Sequence, residues 1–166
     1  EGSFDALGLG SMVKKEISGR VGCINHNSII QTPQGLYWAA SDGFYFTDGY
    51  KVLKISKLID QRYKSFIDNA TKKTRIVGAY DFKRKIVYLS LSTEVNSPWE
   101  NNEVWMFDEN QGIKEEAAFY NWTNGEYFKP TAVAYDGSNF LRGDTRGFVF
   151  KHDEDERNDL FINSSD

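Results

Sequence analysis

The run from Gly35 to Ser56, GLYWAASDGFYFTDGYKVLKIS, leaves little choice of secondary structure. Leu36, Trp38 and Ala40 alternate with Tyr37, Ala39 and Ser41, the period of a strand whose two faces meet different surroundings. Asp42-Gly43 and Asp48-Gly49 interrupt the chain at dipeptides that accept the positive φ angles of tight hairpins. Phe44-Tyr45-Phe46-Thr47 lies between them, and Tyr50 to Ser56 supplies a further strand. Upstream, Ser28-Ile29-Ile30-Gln31 is separated from Leu36 by Pro33-Gln34-Gly35, a turn sequence. The result is four short strands in up-and-down order, the unit of one propeller blade.

The unit recurs. Ile76 to Tyr80, Ile86 to Leu91, Val104 to Phe107 and Ala117 to Tyr120 form a second set, with turns at Asp81 to Arg84 and at Asp108 to Gly112. Thr131 to Tyr135, Phe140 to Arg142 and Phe148 to Phe150 give the first three strands of another, with turns at Asp136 to Ser138 and Asp144 to Gly147. Self-similarity at a period near 50 residues is the mark of radial repeat architectures. Composition agrees: 15% of the residues are aromatic, suited to a pleated, half-buried surface. The expectation is an all-β chain, part of a β-propeller built from four-stranded antiparallel blades with a short helical connector. Three blades do not close a ring, so further blades or further copies are expected to complete it.

The chain divides into an N-terminal arm or linker over residues 1–20, a propeller segment over 21–151, and an acidic tail over 152–166, which opens with HDEDERND, too polar and charged to pack, and ends in Phe161-Ile162 and a polar stretch. Within the propeller segment, Ile59, Tyr63, Phe66, Ile67 and Ala70 recur at three- and four-residue spacing, which predicts a helical connector over residues 57–74. The opening Glu1-Gly2-Ser3 reads as that of a processed product or an internal piece. No stretch reaches the roughly 20 apolar residues a membrane helix needs, so no membrane insertion is expected. Charge is unevenly spread. Residues 51–85 hold eleven basic and three acidic side chains, whereas 152–166 holds one Arg and six acids. Such asymmetry steers association with a complementary partner, another copy of the chain included.

Little in the sequence points to catalysis, cofactors or metal binding. The two histidines, His26 and His152, and the lone Cys23 make no cluster at metal-ligand spacing. Ser28 and Cys23 lie near His26 without a nucleophile elbow. Asp153 to Asp159 is acidic but lacks the glycine and terminal Glu of a calcium loop. Arg142-Gly143-Asp144 reads as a strand exit and turn. The chain is therefore not expected to be an enzyme. Candidate interface residues are the aromatics Trp99, in the loop 92–102, Trp122 and Tyr127, in the connection 121–130, and the basic pair Lys72 and Lys73.

Gly22-Cys23 with Ser28-Ile29-Ile30, Gly35-Leu36-Tyr37-Trp38, Ser41 to Gly49 and Lys54-Ile55-Ser56, followed by Tyr80-Asp81, Lys83-Arg84, Val87-Tyr88-Leu89, Val104 to Asp108 and Ala134 to Gly137, resembles the propeller segment of tail proteins from short-tailed bacteriophages. The resemblance spans roughly residues 21–151. It implies a structural ring subunit of the tail nozzle or conduit, in the virion after assembly in the host cytoplasm. The partners it implies are copies of the chain and other tail proteins, with transient passage of DNA, and it supplies no active-site residue. The alternative is a carbohydrate- or receptor-binding propeller, an adhesin or a glycosidase-like protein, with Trp99, Trp122 and Tyr127 on one rim.

Overall fold

A computed structural model describes residues 3–4, 10–11, 16–17, 21–67, 70–93, 100–122, 130–151 and 160–162. A minimal ladder pairs β1 (Ser3–Phe4) with β2 (Gly10–Ser11). The first meander comprises β3 (Ile30–Thr32), β4 (Gly35–Ala40), β5 (Gly43–Thr47) and β6 (Val52–Lys54). Next come α1 (Asp60–Phe66) and α2 (Ala70–Arg75), the expected helical connector. The second meander is β7 (Val77–Asp81), β8 (Ile86–Leu91), β9 (Glu103–Asp108) and β10 (Phe119–Trp122). The third is β11 (Pro130–Tyr135), β12 (Phe140–Asp144), β13 (Val149–Lys151) and β14 (Leu160–Ile162). Each meander is an antiparallel four-stranded sheet in sequence order, so the chain is all-β apart from the connector.

Two expectations need correction. The opening strand of the first sheet begins at Ile30 rather than Ser28, because His26–Ser28 makes one 3-10 turn whose N-cap, Asn25, accepts from the Asn27 N–H. In addition, Leu160–Ile162, within the expected acidic tail, is a strand. It pairs with β13 through Phe150↔Phe161 and completes the third sheet.

Aspartates at or just beyond strand ends fix four of the hairpins. Oδ1 of Asp48 accepts from the N–H groups of Tyr50 and Lys51, that of Asp81 from Lys83 and Arg84, and that of Asp136 from Ser138 and Asn139. Asp144 does the same for Arg146 and Phe148. Each side chain thus supplies the turn with acceptors its own backbone lacks. At the first hairpin a glycine is obligatory: Gly35 has φ +150, and a Cβ there would lie 2.0 Å from the Thr47 carbonyl oxygen.

The three sheets stack as a fan with β3, β7 and β11 side by side along its inner edge. These strands run in the same direction. Asn25, before β3, donates from Nδ2 to the carbonyl of Ile76, just before β7, at 2.9 Å. At the far ends, Thr32 and Tyr80 both reach the carboxylate of Glu109. Between the second and third sheets, the Ser90 hydroxyl donates to the Pro130 carbonyl at 2.6 Å near the strand starts, and the Phe82 and Tyr135 rings meet beyond the ends.

The middle sheet is covered on both faces, which explains why β8 is apolar almost throughout rather than alternating. Val87, Leu89 and Leu91 face the first sheet and join Tyr37, Ala39, Phe44, Phe46, Trp105 and Phe107 in the main core. Tyr88 faces the third sheet, with Ala79, Val104 and Phe140. Gly78 lets β7 approach β3, since a Cβ there would sit 2.4 Å from Cδ1 of Ile30. On the connector, Tyr63 is fully buried against Phe44 and donates its hydroxyl to the Ala40 carbonyl, anchoring α1 to the first sheet.

Candidate functional site

Parallel first strands give the fan two rims. One carries the turns after β3, β5, β7, β9 and β11; the other carries the β4–β5 turn, the connector and the β12–β13 turn. A cleft of about 450 Å³ lies where the first strands begin, lined by His26, Asn27, Ile29, Val77, Gly78, Thr131, Ala132 and Val133. His26, Asn27 and Thr131 supply polar groups over an otherwise apolar wall. Because β3, β7 and β11 are edge strands of their sheets, backbone donors and acceptors not used in the ladders also face this inner side.

Two carboxylates organise the space between elements. Glu109, just after β9, accepts from Thr32 Oγ1 at 2.9 Å, the Tyr37 hydroxyl at 2.8 Å and the Tyr80 hydroxyl at 2.6 Å. Burial, and then the hydrogen bond to Glu109, push both phenols above the ordinary tyrosine range, so they remain neutral donors. Glu103 accepts from Trp105 Nε1 at 2.8 Å and Asn121 Nδ2 at 3.0 Å, and pairs with Arg62 of α1 at 3.4 Å. The Arg62 guanidinium lies over the rings of Phe66 and Trp105. Both arrangements tie one element to another.

The residues near His26 do likewise. The Ser28 hydroxyl is fully buried, donates to the Asn25 carbonyl and accepts from the Ala39 N–H, so it completes the 3-10 turn rather than standing poised for attack. The Cys23 Sγ lies 2.9 Å from the same Asn25 carbonyl oxygen. Among the described residues no His, Cys, Asp and Glu gather into a metal-holding group. No helix among them is long and apolar enough to cross a membrane. Arg142 and Asp144 are buried within β12, so the Arg-Gly-Asp tripeptide is not displayed on a loop.

The sequence-based interface candidates do not converge on one visible surface. Lys72 is only 4% exposed, and Lys73 beside it on α2 is half-buried. Trp122 closes β10 opposite Val104. Trp99 and Tyr127 fall outside the described residues. The basic stretch 51–85 is likewise divided between the rims. Lys51 and Lys83 to Lys85 sit on the turn-bearing rim, while Lys57, Arg62, Lys64, Lys73 and Arg75 belong to the connector. Part of it is neutralised locally: Lys54 pairs with Asp42 and Asp60, Lys57 with Glu115, and Arg62 with Glu103. Sequence reasoning missed Glu109, a turn residue by local pattern, because its three donors come from β3, β4 and β7.

No protein-family model matches the chain, and neither the comparison with curated proteins nor that with solved structures finds a match.

Proposed function

We propose that the chain is a structural element of a short-tailed bacteriophage tail, three successive blades of a propeller wall in a ring subunit of the nozzle through which the genome is delivered. The observation that carries this reading is the arrangement of the sheets. Three consecutive four-stranded meanders stack face on face with their first strands parallel along one inner edge. That is the relation between neighbouring blades in a propeller. The outward face of the third sheet supports assembly, since exposed Ala132, Ala134 and Val149 lie on it while the corresponding face of the second sheet is covered. Such a stack gains by acquiring further sheets, from its own protein or from another copy, and the resemblance of residues 21–151 supplies the tail context. In this reading the work of the molecule is mechanical and its partners are copies of itself and other tail proteins.

The test is the native mass of the assembly isolated from its source, with the denatured chain mass measured on the same sample. A closed assembly of fixed copy number supports the ring subunit. A 19.0 kDa particle under all conditions sinks it.

A ligand-binding propeller is the second reading, favoured by the inner-edge cleft with His26, Asn27 and Thr131 on its wall. It predicts saturable binding of a neutral sugar or peptide that is lost in an Asn27→Ala, Thr131→Ala double variant. A calorimetric titration showing the same heat for parent and variant excludes that cleft.

A further inference from the structure

Cross-strand register sorts each sheet into two faces, and the stack uses them in a fixed order. In the first sheet, Ile30, Tyr37, Phe46 and Leu53 form a row that packs toward the second sheet. Gln31, Leu36, Thr47 and Val52, and in the next row Trp38, Tyr45 and Lys54, lie on the opposite face. The far face of the second sheet, with Ala79, Tyr88 and Met106 in one row and Val104 in the next, receives Phe140, Val133 and Tyr135 of the third. Register then brings the matching positions of the third sheet together, Ala134, Leu141 and Lys151 in one row and Ala132, Gly143 and Val149 in the next. With Tyr135-Asp136 set on Tyr80-Asp81, Ala134 stands where Ala79 does, Leu141 where Tyr88 does and Val149 where Val104 does. Ala79, Tyr88 and Val104 are buried between sheets, whereas Ala132, Ala134 and Val149 are exposed. The third sheet therefore repeats an interface face on its open side.

We propose that this open face packs on the outward face of the first sheet of a second copy of the chain. The inference rests on the reading of the protein as a self-assembling ring subunit, and it names the two surfaces through which copies meet. The first sheet's outward face complements the third's in shape. Trp38 and Tyr45 stack on it with centroids 5.9 Å apart, and Leu36, two residues before Trp38 on the same face, is 40% exposed. Against these large side chains the third sheet sets Ala132, Ala134 and Gly143. Large against small lets two pleated faces approach to the usual separation of about 10 Å and fill the space between them. The contact also continues the existing stack in the same order, the far face of one sheet on the near face of the next with first strands parallel. Leu36 and Ala134 then come to the same height, because each lies beside a turn of the turn-bearing rim. Contacts of this head-to-tail kind close into rings when the rotation between copies allows.

The experiment is sedimentation velocity on the full chain over a range of concentrations, at low and high salt. The parent should form a complex whose mass is a whole multiple of 19.0 kDa and which survives high salt, since the contact is apolar. Ala134→Glu on the third sheet and Leu36→Lys on the first should each lose at least about tenfold in self-association, because each leaves a charge without a partner in an apolar contact. Val149→Glu, one row from Ala134, repeats the test at a second position of the same face. A chain carrying both Ala134→Glu and Leu36→Lys should recover part of the loss, and its association should now weaken with salt, because opposite charges face one another between copies. Tyr50→Ala removes an aromatic that is 84% exposed on the turn-bearing rim and should associate as the parent does. Parent-like association of the single variants overturns this contact and leaves the ring reading standing, and so does a double variant with no recovery. A parent chain that is monomeric at every concentration and salt overturns the contact and the self-assembly reading together. Circular dichroism on each variant separates lost association from lost folding.

Discussion

The two interfaces between the three sheets are built differently. Between the first and second sheets lies an aromatic core in which Phe44 meets Tyr63, Trp105 and Phe119, and Tyr37 meets Phe46 and Phe107. Glu109 joins Thr32, Tyr37 and Tyr80 at its edge. Between the second and third sheets the buried apolar set among the described residues is Ala79, Tyr88, Val104 and Phe140, with a polar tie from Ser90 to Pro130. Hydrophobic stabilisation follows apolar area removed from water. The first pair should therefore behave as one cooperative unit, and the third sheet as an attachment that opens at lower free energy.

The comparison is tested most severely at Trp105, 2% exposed and in contact with three other rings as well as Arg62. Trp105→Ala should cost about 3–5 kcal/mol through lost burial and the cavity it leaves. The midpoint of urea unfolding should fall for all three sheets together. Phe140→Ala, at the other interface, should cost no more than about 3 kcal/mol, since fewer neighbours surround the cavity. Its signature is regional: amide exchange in β11 and β12 accelerates while β4, β5, β8 and β9 keep their protection. Equal acceleration everywhere would show that the two interfaces are one.

A smaller effect is expected where β7 passes β3. Gly78→Ala places a methyl group against Ile30 Cδ1 at 2.4 Å and Cγ1 at 2.7 Å, and 3.2 Å from the Tyr88 carbonyl oxygen. Overpacking of this kind costs about 1–3 kcal/mol. Because the nearest atoms end a side chain, adding Ile30→Val should recover part of the loss, and a double-mutant cycle with no coupling would place the cost elsewhere. Smaller again is Glu109→Gln, which keeps the shape of the edge but replaces one acceptor oxygen facing three hydroxyls by a donor. About 1 kcal/mol is expected, the scale of one net hydrogen bond. An unchanged unfolding midpoint would show that the hydroxyls find other acceptors.

What was legible in the sequence follows how local its cause was. Alternation in Leu36 to Ser41, the Asp-Gly dipeptides and the spacing of Ile59, Tyr63 and Phe66 each act within one turn or hairpin, and strands and connector stand close to where they point. β14 was not legible, because Leu160–Ile162 follows eight polar residues and is a strand only by pairing with β13. Nor was the burial of Lys72, since charge alone does not say which way a helix turns. The site suffers most from this limit. Glu109 draws its partners from three strands 29 to 77 residues away, and the cleft is assembled from the starts of three sheets.

The last contrast between the sheets is in their response to acid. The third sheet's hairpins hang on Asp136 and Asp144, and both carboxyls titrate below the ordinary range. For Asp136 the cause is the Asn139 side chain and then the N–H groups of Asn139 and Ser138. For Asp144, burial opposes ionisation, but the Arg146 side chain and the N–H groups of Phe148 and Arg146 outweigh it. A carboxyl with a lowered folded pKa contributes stability that is complete above its unfolded value, about 3.9, and disappears as pH falls through the folded value. These hairpins should therefore hold at pH 6 and loosen below about pH 4. Asp48 gives the first sheet the same dependence at its outer hairpin, but there the aromatic core stands behind the turn. Amide exchange measured from pH 6 down to pH 3, corrected for the intrinsic pH dependence, should show β11 and β12 losing protection before β4 and β5. Loss in the reverse order would mean that the aromatic core does not hold the first sheet once its turn carboxylates are protonated.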